Sequence, residues 1–279
     1  MNKGKVFNRH VSVIEIEISS FCNRKCGFCG NTYIDRYSQH HIMEEEVYVG
    51  FLEKLKEINY TGVLNFNRYN EPFAEKVILD RIAIARDLLG NKATLMCFSN
   101  GDYLDNQYFS QIKKTGLDIL YIQDYSNETD KNVIINSLLQ IKNKISSSDY
   151  EIRCHENMIE CRLLDTTMKE VCIQHRFFEK CGNPRGGILA QFETEIYDEP
   201  CYSPSFTIAI DYNGNVMPCC NLRSDSEEHK KYILGNIKRD NIVDIYFSDK
   251  ALNFRNSLLL GRRPRACIFC QDSKKEWKG

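Results

Sequence analysis

Three thiols stand close together early in the chain, Cys22, Cys26 and Cys29, at a C-x3-C-x2-C spacing. Thiolates packed this closely cannot all pair as disulfides, but they can wrap one metal centre. A cubane iron–sulfur cluster held by three sulfurs keeps one iron without a protein ligand. An open iron is a place for chemistry, as the open position is on a catalytic zinc. The competing reading is a structural zinc site, which wants four ligands; behind Cys29 the nearest candidates are His40 and His41. A second group follows in the last third: Cys201-x17-Cys219, then Cys267-x2-Cys270. A zinc knuckle is an alternative there too.

The bulk of the sequence supports metal ligation. Thirteen cysteines is a large and odd count, and Met1–His10 has no apolar signal-peptide core. Grouped cysteines without a secretory signal read as metal ligands in a reducing compartment, so a cytoplasmic protein is expected. Lys and Arg number 37 against 38 Asp and Glu, which gives no reason to expect a nucleic-acid partner. No apolar run approaches the ~20 residues of a membrane span. At 279 residues the chain can bury a substantial core.

The elements that must position these thiols alternate between strand and helix. Strand-like runs occur at 11–18, 62–66, 93–98, 117–122 and 150–154. Helix-like runs occur at 44–58, 74–89, 106–114 and 129–144, the last capped by Asn127 or Thr129. Such a repeat predicts an α/β fold, a parallel sheet closed or partly closed as a barrel with helices outside it. Reactive groups in such folds sit on loops after the strands' C-terminal ends, which is where the cysteine loop falls. Beyond Pro184–Gly187 the pattern changes. Asp211-Tyr212-Asn213-Gly214 between two short apolar runs predicts a hairpin, and helical runs at 241–247 and 250–260 follow. The expected division is 1–195, the barrel, and 196–279, a small cysteine-bearing domain.

The motifs resemble those of the radical S-adenosylmethionine enzymes. That superfamily has an aromatic residue before its third cysteine, and Phe28 stands there. Its next motif, usually Gly-Gly-Glu-Pro after the second strand, corresponds to Tyr69-Asn70-Glu71-Pro72, with Asn70 where glycine is common; Asn tolerates the positive φ such a turn can need. Ser99-Asn100-Gly101 resembles the family's ribose-contacting segment. The resemblance implies a partial (β/α)6 TIM-like barrel. It also implies a 4Fe–4S cluster on Cys22, Cys26 and Cys29, with S-adenosyl-L-methionine bound among Phe28, Asn70, Glu71, Ser99, Asn100 and Gly101. Reductive cleavage of that cofactor yields a 5′-deoxyadenosyl radical. Cys201-x12-Gly214-x4-Cys219 resembles the start of a SPASM domain, and the tail resembles its shortened, twitch-type form. This implies a second, auxiliary 4Fe–4S cluster on Cys201, Cys219, Cys267 and Cys270. Four protein ligands leave no open iron there, which suits electron transfer.

Within the family the chain resembles members that oxidise a carbinol of an aminocyclitol, through 98–104, 185–189, 214–219 and 235–237. Arg185 then falls where such an enzyme sets an arginine against its substrate; an ordinary loop arginine is the alternative. Cys97, Cys154, Cys161, Cys172, Cys181 and Cys220 belong to neither ligand set. Cys97 reads as a small buried hydrophobe. Cys220 follows ligand Cys219 directly, and in radical epimerases of related architecture a thiol returns hydrogen to the substrate. Two outcomes stay open: a dehydrogenase, or an epimerase of a sugar or peptide residue that uses Cys220. A non-enzymatic iron–sulfur or zinc protein is the reading from another class. Gln123, Asp124, Tyr125, Arg153 and His155 are candidates for the barrel mouth. The expected partners are a small-molecule or peptide substrate and a flavodoxin- or ferredoxin-type reductant, with no nucleic acid and no membrane. The lack of a preceding peptide-recognition domain disfavours a leader-guided substrate.

Overall fold

A computed structural model describes residues 2–38, 40–164, 166–193 and 195–270. Its strands are β1 (Val13–Ile16), β2 (Val63–Asn65), β3 (Thr94–Ser99), β4 (Ile119–Asp124), β5 (Tyr150–His155), β6 (Met158–Leu163), β7 (Glu170–Arg176), β8 (Thr207–Ile210), β9 (Asn215–Met217) and β10 (Gly235–Asn236). They form one sheet in the order β10-β9-β8-β1-β2-β3-β4-β7-β6-β5. The six central strands, β8 to β7, run parallel, and the strands beyond them on each side are antiparallel. The sheet does not close on itself, so the architecture is a partial barrel.

In β1 the alternation sends Ile14 and Ile16 into the main core, leaving Val13 and Glu15 for the other face. Helices α1 (Lys3–His10), α2 (Glu45–Glu57), α3 (Val77–Leu89), α4 (Asn106–Ile112) and α5 (Lys131–Ile145) accompany the first half. Helix α2 buries Tyr48, Phe51, Leu52 and Leu55, one stripe at helical spacing. Each such side chain contributes about 1.5–3 kcal/mol of burial. Helix α5 is capped by Asp130, whose carboxylate accepts from the amides of Asn132 and Val133; neither Asn127 nor Thr129 is the cap.

The run 150–154 does form a strand, but not the next parallel one. It is the outer edge of an antiparallel meander, and the place beside β4 belongs to β7. The physical reason is burial. Val171, Cys172, Ile173, Gln174 and His175 are all buried, as a central strand covered on both faces requires, whereas β5 is mostly exposed. Charged Glu151 and Arg153, paired at 2.8 Å, suit an edge. Arg153 is therefore exposed on that edge, whereas His155 lines a cavity of ≈ 820 Å³ together with Gly27 and Phe28 of the cysteine loop.

The last third extends the same sheet. The Ser12 amide donates to Phe206 O and the Glu17 amide to Ile210 O, each at 2.9 Å, which pins β8 against β1. Strands β8 and β9 form the expected hairpin, with Asp211 accepting from the amides of Asn213 and Asn215 and Gly214 at φ +82°. Two short helices, α6 (Phe178–Cys181) and α7 (Ser203–Phe206), precede it, and α8 (Ile242–Tyr246) and α9 (Asp249–Leu259) follow. Residues 271–279 of the expected second domain lie outside the described residues. Among the described residues no helix is long and apolar enough to cross a membrane.

Candidate active site

Because β1, β2, β3 and β4 run parallel, the loops leaving their C-terminal ends share one edge of the sheet. That edge brings Cys22, Cys26, Cys29, Phe28, Asn70, Glu71, Ser99 and Asn100 to one cavity. Gly101, at φ +76°, turns the chain just behind them and donates its amide to Ser99 Oγ at 3.0 Å. Asn70 does not adopt positive φ, so its turn makes no use of the tolerance that singled it out; the non-glycine residues that do are Asn59 and Arg185.

Glu71 organises the centre. Its carboxylate accepts from Ser99 Oγ at 2.7 Å, from the Asn100 amide at 2.7 Å and from the Phe73 amide at 3.2 Å. Burial nevertheless raises its pKa to about 7, since those hydrogen bonds only partly offset the lost hydration. Among the described residues no Lys, Arg or His forms an ion pair with it. A buried carboxylate in this condition fits the amino group of S-adenosylmethionine. Burial likewise pushes the Cys22 thiol up to about 12 and Cys26 to about 11, so they ionise only beside a strong cation, which an iron cluster provides. Among the described residues no three His, Cys, Asp or Glu side chains converge on a single metal ion.

The cysteine loop is clamped from β3. Arg24 Nε donates to Asp102 at 2.7 Å, Asn23 Nδ2 donates to the same carboxylate at 2.7 Å, and Asn100 Nδ2 donates to Asn23 at 2.8 Å. Arg24 and Asp102 escaped the sequence reading, although Asp102 lies inside the stretch 98–104 that carries the resemblance. Phe28 stacks on Phe178 with ring centres 3.7 Å apart and on Tyr125 at 5.3 Å. Tyr125 thus lines the cavity, as its position after β4 suggested. Gln123 does not; it exchanges hydrogen bonds with Gln174 and is a satisfied core contact. Asp124 pairs with buried His175 at 3.1 Å. His175 was invisible while β7 was unrecognised.

A second cavity of ≈ 470 Å³ gathers Cys201, Cys219, Cys220, Cys267 and Cys270, faced by Val13 and Glu15 of β1. Burial drives Cys219 well above the ordinary thiol range and Cys267 up to about 12. The peptide 220–222 walls this cavity from the first. Tyr69 Oη donates to Cys220 O at 2.9 Å, and Arg68 Nη2 donates to Leu222 O. Arg185 joins the same wall, its Nη1 donating to Asn221 Oδ1 at 2.8 Å. Its backbone, at φ 50° and followed by Gly186 and Gly187 at positive φ, holds an unusual turn for a non-glycine residue.

Buried arginines lock the wall to the cysteine loop. Arg223, fully buried, donates to Asn31 Oδ1 at 2.8 Å and to Asp225 at 2.8 Å, with its guanidinium 4.0 Å from the Tyr69 ring centre. Arg36 bridges Asp225 at 2.7 Å and Glu17 at 3.4 Å. Burial alone would raise the Asp225 carboxyl, but Arg223 and Arg36 outweigh it and hold it well below the usual carboxylate range. Three side chains at or just past the end of β2 have buried polar atoms unmet among the described residues, the first being Asn65 through its Oδ1. Among the described residues Arg68 Nε and Nη1 and Asn70 Nδ2 have no hydrogen-bond partner. An unmet buried donor costs about 1–3 kcal/mol, more when charged.

Residues 201–272 match the SPASM family, an iron–sulfur cluster-binding domain. The S-adenosyl-L-methionine-dependent 2-deoxy-scyllo-inosamine dehydrogenase of Niallia circulans is 24% identical over 264 residues, 94% of this chain and 93% of that protein. The crystal structure of BtrN in complex with AdoMet and 2-DOIA superposes with a TM-score of 0.69 at 23% identity, over 94% of this chain and 93% of that one. A structure of anSMEcpe with bound AdoMet gives 0.50 at 14% identity, over 91% and 87%. In motif and in fold, the chain resembles the radical S-adenosylmethionine enzymes that carry a SPASM-type auxiliary domain.

Proposed function

We propose that this chain is a radical S-adenosylmethionine dehydrogenase that oxidises a carbinol of an aminocyclitol or sugar-like small molecule. When bound, one 4Fe–4S cluster with S-adenosylmethionine supplies a 5′-deoxyadenosyl radical that takes hydrogen from carbon, and the auxiliary cluster supplies an electron acceptor. The observation that carries the reading is the shared wall: Tyr69 and Arg68 reach from the cysteine-loop cavity to the backbone of Cys220 and Leu222, which line the five-cysteine cavity. A radical formed on one side has an acceptor on the other.

In this account Cys22, Cys26 and Cys29 hold the first cluster. Phe28, Asn70, Glu71, Ser99, Asn100 and Gly101 hold S-adenosylmethionine, and Cys201, Cys219, Cys267 and Cys270 hold the auxiliary cluster. Arg185, fixed by Asn221 in the wall, orients a substrate hydroxyl and stabilises its deprotonated form. A division near residue 195 separates radical generation from electron removal. Electrons come from a flavodoxin- or ferredoxin-type reductant, and the setting is cytoplasmic.

One observation keeps an epimerase as the second reading: Cys220 lines the auxiliary cavity beside the four expected ligands. Product mass separates the two. A dehydrogenase gives a product lighter by two hydrogens. An epimerase gives unchanged mass and, in heavy water, one added deuterium.

A further inference from the structure

The turn that carries Arg185 meets the auxiliary cavity through two buried asparagines. Asn221 Oδ1 accepts from Arg185 Nη1 at 2.8 Å, and Asn183 Oδ1 accepts from the Arg185 backbone amide at 3.0 Å. A guanidinium and a peptide N–H can only donate, so each contact fixes which way its asparagine amide is turned. Flipping either would set an NH2 group against another donor. The opposite corner of each amide then meets the same sulfur. Asn183 Nδ2 donates to Cys270 Sγ at 3.5 Å, and Asn221 Nδ2 donates to it at 3.7 Å. The Asn221 backbone adds a hydrogen bond to the neighbouring ligand position, Cys219.

Cys270 is itself buried and fixed in place. Its amide donates to Cys267 O at 3.2 Å, and its carbonyl accepts from Arg263 Nη1 at 2.8 Å. Burial keeps water from competing for the sulfur, and the low local dielectric strengthens each N–H···S contact. A thiolate that ligates an iron–sulfur cluster carries part of the cluster's negative charge, and reduction adds to that charge. Donors aimed at the sulfur therefore favour the reduced state and raise the potential. Apolar side chains of the same size would fill the space without this effect.

We propose that Asn183 and Asn221 are positioning residues that raise the reduction potential of the auxiliary cluster through their bonds to Cys270, with Arg185 holding both in register. The inference rests on the radical-enzyme reading and deepens it. In that reading one electron passes from the substrate radical to the auxiliary cluster, and a higher potential favours the transfer. The arginine set against the substrate hydroxyl and the donors to the electron acceptor then form one connected unit.

The test is a redox titration of the anaerobically reconstituted full chain, followed by electron paramagnetic resonance. S-adenosylmethionine should perturb only the cluster with an open iron, which identifies the signal of the other. At the wild-type midpoint, Asn183→Leu and Asn221→Leu should each lower the ratio of reduced to oxidised auxiliary cluster about tenfold, a fall of about 59 mV for one electron, with iron content unchanged. Asn183→Leu leaves the bond between the Arg185 guanidinium and Asn221 in place, so its shift reports the lost N–H donor and not a displaced charge. Thr207→Val removes a different polar group from the same cavity, a hydroxyl that donates to Ser203 O, and should keep the ratio within about twofold. Wild type labelled with nitrogen-15 in asparagine side chains alone needs no substitution, and its reduced auxiliary cluster should show hyperfine coupling to that nitrogen. Unchanged ratios in both Leu variants, an equal shift in Thr207→Val, or no coupling in the labelled wild type would overturn the proposal while leaving the radical-enzyme reading in place. Failure of wild type to assemble a second cluster would instead sink that reading, and the inference with it.

Discussion

The two cysteine-lined cavities use the same side chain to opposite ends. The first has three thiols and, beside them, a buried carboxylate and a set of amides and hydroxyls aimed inward. The second has five thiols and mixed company, with Pro204, Leu222, Phe254 and Leu258 beside Glu15 and Arg263. Three ligands beside polar groups leave an iron open to a polar cofactor. On the proposed reading, four ligands in the second cavity close the coordination sphere, and the side chains around them tune a potential. On the same reading the difference between the cavities is a division of labour, and the wall of Tyr69, Arg68 and residues 220–222 is where the two meet.

The most severe way to break the comparison is to remove one thiol from each side. Cys26→Ala should abolish 5′-deoxyadenosine formation, a fall of at least about a thousandfold, while iron drops to about half. Cys270→Ala should also halve the iron, yet leave cleavage of S-adenosylmethionine and stop product formation. Equal losses of cleavage in both variants would contradict a division of labour.

The next effect is on stability. Asp225 takes hydrogen bonds from two buried arginines, so Asp225→Ala leaves Arg223 without a carboxylate and Arg36 with Glu17 alone, and should cost about 3–5 kcal/mol in chemical denaturation. A cost below about 1 kcal/mol would show that the wall does not depend on this network.

A smaller effect is expected at Cys220. Its backbone carbonyl, not its thiol, receives Tyr69, so Cys220→Ala keeps the wall intact. In a dehydrogenase the variant should retain product formation to within about threefold. Loss of turnover with continued cleavage of S-adenosylmethionine would instead favour the epimerase.

The smallest is a pH effect at His229. Its Nδ1 accepts from the Arg223 amide at 3.1 Å while Nε2–H donates to Gly186 O at 2.9 Å, so the ring must be neutral. Burial holds its pKa below the ordinary 6.5. The stability it contributes is therefore full above 6.5 and is lost as pH falls through and below that value. Thermal denaturation of wild type should show this loss as pH is lowered through 6.5, and His229→Gln should not.

The chemistry of this chain is more legible in its sequence than its topology is. Local spacing carries the cysteine loop, and the resemblance to the radical S-adenosylmethionine enzymes carries Glu71-Pro72 and Asn100-Gly101, since each is a short motif after a strand. The same locality reads the β8–β9 hairpin from Asn213-Gly214. It fails at β5 to β7. The turn Glu156-Asn157 has no hairpin signature, and whether Tyr150–His155 or Glu170–Arg176 pairs with β4 depends on which is buried on both faces. It fails again at Arg36, Arg223 and Asp225, charged residues that look solvated until strands far apart in sequence enclose them. Arg68 escaped for the same reason.

The central claim is that two clusters of different openness serve one radical reaction. Anaerobic reconstitution with iron and sulfide, followed by dithionite and S-adenosylmethionine, tests it directly. The account predicts about eight irons per chain and release of 5′-deoxyadenosine. About four irons with zinc in the C-terminal cysteines, or no 5′-deoxyadenosine from a fully loaded protein, would contradict it.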